Sequence, residues 1–143
     1  MPPHVSPYPP QSRLRADTLI SIVDDDEDFR LSMRSLMESL GFTIEAFPSA
    51  ADFLASSGIH DTDCLIADVQ MPRMTGLELH RHLIQTGHAI PTILISAYPD
   101  DGVRDRALQQ GVVCYLLKTI DEEGLLSCIR SALERAEPDR NPL

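Results

Sequence analysis

Five short apolar runs punctuate the chain: TLISIV (18–23), FTIEAF (42–47), CLIADV (64–69), PTILISA (91–97) and VVCYLL (112–117). Each has strand length and most are rich in β-branched residues. Several are apolar at every position rather than at alternate ones, which predicts strands buried on both faces of a sheet. Between them apolar residues recur at helical spacing. Phe29, Met33, Leu36, Met37 and Leu40 share one face of a helix that Gly41 stops, Leu77, Leu79 and Leu83 do so more loosely, and Leu125, Leu126, Ile129 and Leu133 mark a last helix. Ser49 ahead of AADFLASSG and Thr75 ahead of GLELHRHL carry hydroxyls suited to capping helix N-termini. The order is strand then helix, five times over. Parallel strands need a crossover of about a helix's length, right-handed each time, so this order predicts an α/β fold: a doubly wound parallel sheet with helices on both faces.

The chain ends lack that pattern. Residues 1–16 hold five prolines in the first ten positions and predict an extended tail, residues 136–143 a short tail or linker stub, and residues 17–135 the folded domain. A length of 143 residues, 43% of them hydrophobic, suits one domain with a real core. No apolar run approaches the roughly 18 residues that span a bilayer, and no basic-then-apolar leader opens the chain, so the expectation is a cytoplasmic protein without a membrane partner. Cys64, Cys114 and Cys128 are odd in number and lack zinc-ligand spacing, which predicts buried thiols. A formal net charge of −10 makes a phosphate backbone a poor partner, so no nucleic acid is expected on this chain alone.

Charge sharpens the picture at the strand ends. In a parallel sheet, functional groups gather at the carboxyl ends of the strands, where strand order reverses. The first run ends in Asp24 and Asp25, the third in Asp68, the fourth in Ser96 and the fifth in Lys118, the sole lysine of the sequence. Carboxylates crowded at strand ends repel one another unless they are solvated or hold something positive. If the first and third strands are central neighbours, Asp24, Asp25 and Asp68 converge on a hard oxygen site suited to Mg2+. A carboxylate beside such a cation, here Asp68, can act as a nucleophile toward a phosphoryl group. Lys118 and Ser96 would then cover phosphoryl oxygens left by the metal.

Taken in order, IVDDD, LIADVQMPRMTGLEL, ILISAY and YLLK resemble the receiver domains of two-component response regulators, over about residues 17–135. The resemblance implies a flavodoxin-like (βα)5 sheet of order 2-1-3-4-5. It implies that Asp68 is the phosphoacceptor, that Asp24, Asp25, Asp68 and the Gln70 backbone carbonyl bind Mg2+, and that Ser96, Tyr115 and Lys118 form the switch. Gln70 and Tyr98 stand where such domains tune the phosphate's lifetime. The implied partner is a sensor histidine kinase or phosphotransfer protein. The implied output face is the fourth helix, fifth strand and fifth helix, residues 99–135, which could also carry a homodimer. Such a domain is a phosphoacceptor rather than an enzyme, limited to self-catalysed transfer and autodephosphorylation. One position departs from the pattern: Thr119 stands where the family usually has a proline preceded by a cis bond. A cis bond before a non-proline costs about 2.5–4 kcal/mol, so a trans Lys118–Thr119 bond is expected.

Two other readings compete. The Asp24 and Asp26 pair superficially fits the D-x-D motif of a haloacid-dehalogenase-like phosphohydrolase, although Asp28 stands where that motif wants Thr or Val. A receiver-like interaction module indifferent to phosphorylation is the other, prompted by Thr119. His80 and His82 are expected as exposed polar residues on different helix faces.

Overall fold

The computed structural model describes residues 18–135. Five strands form one parallel sheet: β1 (Leu19–Val23), β2 (Thr43–Phe47), β3 (Cys64–Asp68), β4 (Thr92–Ser96) and β5 (Cys114–Leu117), ordered β2-β1-β3-β4-β5. Every pairing is parallel, and β1 is paired on both sides, in register Ile22↔Ala46 with β2 and Ile22↔Ile66 with β3. All five residues of β3 and of β4 are buried, as continuous apolar runs require when helices cover both sheet faces. The predicted strand order and architecture are those observed.

The crossovers are α1 (Glu27–Ser39), α2 (Ala50–Leu54), α3 (Gly58–Asp61), α4 (Gly76–Gln85), α5 (Asp101–Gln109) and α6 (Glu122–Arg135). Two apolar cores lie on opposite sheet faces. One gathers Ile20, Ile22, Ile66 and Ile93 with Met33 and Met37 of α1 and Leu125, Ile129 and Leu133 of α6. The other gathers Val23, Leu65 and Leu94 with Phe53, Leu79, Leu83 and Ala107. Side-chain alternation along each strand feeds the two cores in turn.

Local chemistry sets the helix ends. Asp26 caps α1, its carboxylate accepting from the Asp28 and Phe29 amides. Gly41 follows that helix at φ +96°, a conformation that a side chain would strain, so it is the predicted stop. Ser49 caps α2, and Thr75 with Glu78 forms a capping box on α4. The single helix expected after Ser49 is instead two short pieces. Ser56 Oγ donates back to the Phe53 carbonyl and ends the first, and Gly58 starts the second close against the Glu45 side chain. Cys64 and Cys128 are buried as predicted, whereas Cys114 is half-buried. Burial pushes the Cys64 thiol far above its usual range, and burial together with the Cys114 thiol pushes Cys128 up to about 12. The proposed tails lie outside the described residues.

Candidate functional site

The strand order brings the carboxyl ends of β1, β3, β4 and β5 side by side, and five of the residues singled out from the sequence, Asp24, Asp25, Asp68, Ser96 and Lys118, stand at them. Asp24 follows β1 and is fully buried, its amide donating to the Phe47 carbonyl at 3.1 Å. Asp68 ends β3 and is 3% exposed, while Asp25 is exposed. One carboxylate oxygen from each of Asp24, Asp25 and Asp68 lies within 4.8 Å of the others, a hard three-oxygen set able to hold a cation. Each of the two buried carboxylates uses Oδ1 locally. Asp24 Oδ1 accepts from the Asp26 amide at 2.8 Å, and Asp68 Oδ1 from the Gln70 amide at 3.0 Å.

Their Oδ2 atoms share one cation. Lys118 Nζ stands 2.9 Å from Asp24 Oδ2 and 3.3 Å from Asp68 Oδ2. Burial works against the charged ammonium, but the two carboxylates outweigh it and hold Lys118 above its usual range. For Asp68, burial dominates and raises the carboxyl, Asp24's charge adds to that, and the Gln70 amide and Lys118 pull back. The Lys118 amide donates to the Ser96 carbonyl at 2.8 Å, continuing the β4–β5 ladder and fixing the base of the side chain. No peptide bond is cis among the described residues, so Lys118–Thr119 is trans as expected, and the ammonium still reaches both carboxylates.

Ser96 is buried at the end of β4, its hydroxyl donating to the Tyr98 carbonyl at 2.8 Å and accepting from the Tyr98 amide at 3.1 Å. The half-buried Tyr115 points its hydroxyl at the same carbonyl, 3.2 Å away. Gln70 and Tyr98 are both exposed beside the cluster. Two contributors were not anticipated from the sequence. The Phe29 ring lies 4.6 Å from Lys118 Nζ, and Arg30 Nη1 donates to the Asp24 carbonyl at 2.8 Å. Both stand in the first turn of α1, and a helix starting straight after the acidic run could have signalled them.

Asp26 lies outside the three-carboxylate cluster, and its Oδ1 caps α1 by accepting from the Asp28 and Phe29 amides. His80 requires a correction. It is 3% exposed, not a surface residue, because it falls three positions from both Leu77 and Leu83 on the buried stripe of α4. Its Nδ1 has no hydrogen-bond partner among the described residues, and burial lowers its pKa below the usual histidine value.

A family model of the response regulator receiver domain matches residues 20–130. The chain belongs to that family. Response regulator protein TodT of Pseudomonas putida is 38% identical over 138 residues, covering 94% of this chain and 61% of that protein. Response regulator protein TmoT of Ectopseudomonas mendocina is 39% identical over 120 residues, covering 84% of this chain and 54% of that protein. The receiver chain thus spans between about half and three fifths of these curated relatives. The solved structure of FixJ-N superposes with a TM-score of 0.75 at 32% identity, over 82% of this chain and 94% of that one. Response regulator StyR gives 0.79 at 33% identity, over 87% and 63%. Among the described residues of this receiver domain, no helix is long and apolar enough to cross a membrane.

Proposed function

We propose that Asp68 accepts a phosphoryl group from a phosphohistidine on a sensor histidine kinase or phosphotransfer protein, and that the change propagates to the α5–β5–α6 face, residues 99–135. The convergence of Asp24, Asp25 and Asp68 around Lys118 carries this reading. A carboxylate oxygen of Asp68 forms the new O–P bond while the P–N bond to the donor imidazole breaks, and the imidazole leaves with its electron pair and takes a proton from solvent. Asp24, Asp25, Asp68 and the Gln70 carbonyl would hold Mg2+. The ion supplies charge neutralisation for the transferring group. Lys118, already held between two carboxylates, stays charged and is free to cover a phosphoryl oxygen. Ser96 turns its hydroxyl from the Tyr98 backbone toward another, and Tyr115 follows, which alters the 99–135 face, where Leu108 and Leu117 are exposed. That face would meet an output partner or a second copy of the chain, in the cytoplasm and without nucleic acid or membrane.

Intact-mass measurement after incubation with magnesium and a small acyl-phosphate donor tests this reading. A single phosphoryl adduct, absent from Asp68→Asn and from a magnesium-free control, is expected. A folded, magnesium-binding protein that takes no adduct under any trapping condition would instead support an interaction module independent of phosphorylation.

A further inference from the structure

The start of α1 places one aromatic ring at the edge of the acidic cluster. Phe29 stands in the first turn, its amide donating to the capping carboxylate of Asp26 at 3.3 Å. The half-buried ring packs against the core that α1 and α6 form with the sheet. Beside it the Arg30 amide donates to the Asp26 carbonyl at 3.0 Å and Arg30 Nη1 to the Asp24 carbonyl at 2.8 Å, which ties this turn of helix to the end of β1. The turn that sets the ring is therefore the turn that follows Asp24.

Lys118 Nζ lies over that ring, 4.6 Å from its centroid, inside the roughly 6 Å over which a ring face attracts a cation. An ammonium carries three N–H donors. Asp24 Oδ2 at 2.9 Å and Asp68 Oδ2 at 3.3 Å take two sides of it, and the ring covers another. The Lys118 side chain is only 19% exposed, so little water competes there. Lysine is a point charge on a flexible four-carbon stem, and its backbone alone does not fix where the nitrogen stands.

We propose that Phe29 is a positioning residue, whose ring face holds the Lys118 ammonium beside Asp68 while the oxygen partners of that ammonium change. The proposal rests on the phosphoryl-transfer reading above, in which Lys118 moves from a carboxylate oxygen to a phosphoryl oxygen. A carboxylate or amide side chain at position 29 would compete for the same N–H groups. The ring draws positive charge without taking a conventional hydrogen bond, so it stays engaged before and after the transfer. An aliphatic side chain would fill the same space and supply none of that attraction.

Two variants of the full chain separate the ring face from the space it fills: Phe29→Leu keeps an apolar side chain against the core, and Phe29→Tyr keeps the ring. Lys118 is the sole lysine, so lysine-selective isotope labelling gives a single set of side-chain signals. In the unaltered, metal-free chain its ε-methylene protons should resonate upfield of those of a free lysine, displaced by the ring current of Phe29. The displacement should persist in Phe29→Tyr and vanish in Phe29→Leu, a readout that needs no phosphoryl transfer. The rate of adduct formation with magnesium and a small acyl-phosphate donor, followed by intact mass, should fall about threefold to thirtyfold in Phe29→Leu, the worth of one partly desolvated cation–ring contact, and stay within about twofold in Phe29→Tyr. Circular dichroism checks that both variants fold. An undisplaced signal in the unaltered chain, or a Phe29→Leu rate equal to the parent's, would overturn the positioning role. Equal slowing in both variants would overturn it as well, and assign the effect to the packing of α1. An unaltered chain that shows the displaced signal yet takes no adduct would refute the phosphoryl reading itself, and the role with it.

Discussion

Replacing Gly76 by alanine should destabilise the domain, against ordinary helix behaviour. Gly76 opens α4, and alanine is favoured over glycine inside a helix by up to about 1 kcal/mol. Here an added Cβ would sit inside van der Waals contact with the Asp68 carbonyl oxygen, and 3.0 Å from both the Asp68 carbonyl carbon and Leu94 Cδ2. The first two neighbours are backbone atoms in the sheet ladder and cannot rotate away. Overpacking of this kind costs about 1–3 kcal/mol, and with the propensity gain of up to about 1 kcal/mol taken off it leaves a net loss of up to about 2 kcal/mol. Gly102 in α5 supplies the control. Its Cβ would meet nothing closer than Asp100 Oδ1 at 3.4 Å, so Gly102→Ala should be neutral or stabilising by up to about 1 kcal/mol. Urea unfolding followed by circular dichroism separates the two, as a midpoint shift at constant slope. Because the strain falls on Asp68 itself, Gly76→Ala should also slow formation of the phosphoryl adduct. A Gly76→Ala protein as stable as the parent would refute the close-approach argument.

Other expectations follow from the charges. Asp68→Asn should raise the melting temperature of the metal-free protein at neutral pH. Its carboxyl is raised by burial and by Asp24, so ionisation weakens the folded state, and the gain should vanish as pH falls through the ordinary carboxylate value near 3.8. A gain persisting at low pH would contradict this. Lys118→Met should cost the metal-free protein about 3 kcal/mol or more by leaving two close buried carboxylates without their shared cation, and magnesium should restore most of the loss. Melting with and without magnesium measures both, and a loss indifferent to the ion would count against the shared-cation account. His80→Leu should stabilise by about 1 kcal/mol by removing an unpartnered buried nitrogen. The lowered pKa of His80 means its neutral form supports the fold above pH 6.5 and the support fades below that value, so the variant should flatten the stability profile on that acid side. An unaltered slope would exclude His80 as its source.

Strand-end chemistry was legible because a strand's last apolar residue fixes which side chain reaches the sheet's carboxyl edge: Asp24, Asp68, Ser96 and Lys118 were read from position alone. The caps at Ser49 and Thr75 were legible for a similar reason, since a hydroxyl before an apolar period has few other local roles. Tertiary facts were not. The break between α2 and α3 depends on how Gly58 meets the Glu45 side chain across the fold, and the burial of His80 on what covers α4. The Phe29 ring beside Lys118 joins residues 89 positions apart, a contact that no local pattern encodes.

The Tyr98 carbonyl has two lone pairs, and two hydroxyls hold them, Ser96 at 2.8 Å and Tyr115 at 3.2 Å. The Ser96 hydroxyl keeps its resting orientation through two hydrogen bonds to the Tyr98 backbone, each worth about 0.5–1.5 kcal/mol net of water. Together they amount to about 1–3 kcal/mol, which on the proposed reading any contact that turns the Ser96 hydroxyl must exceed. One hydrogen bond to a charged oxygen is worth about 1.5–3 kcal/mol, so a single new acceptor can match both bonds of the resting turn.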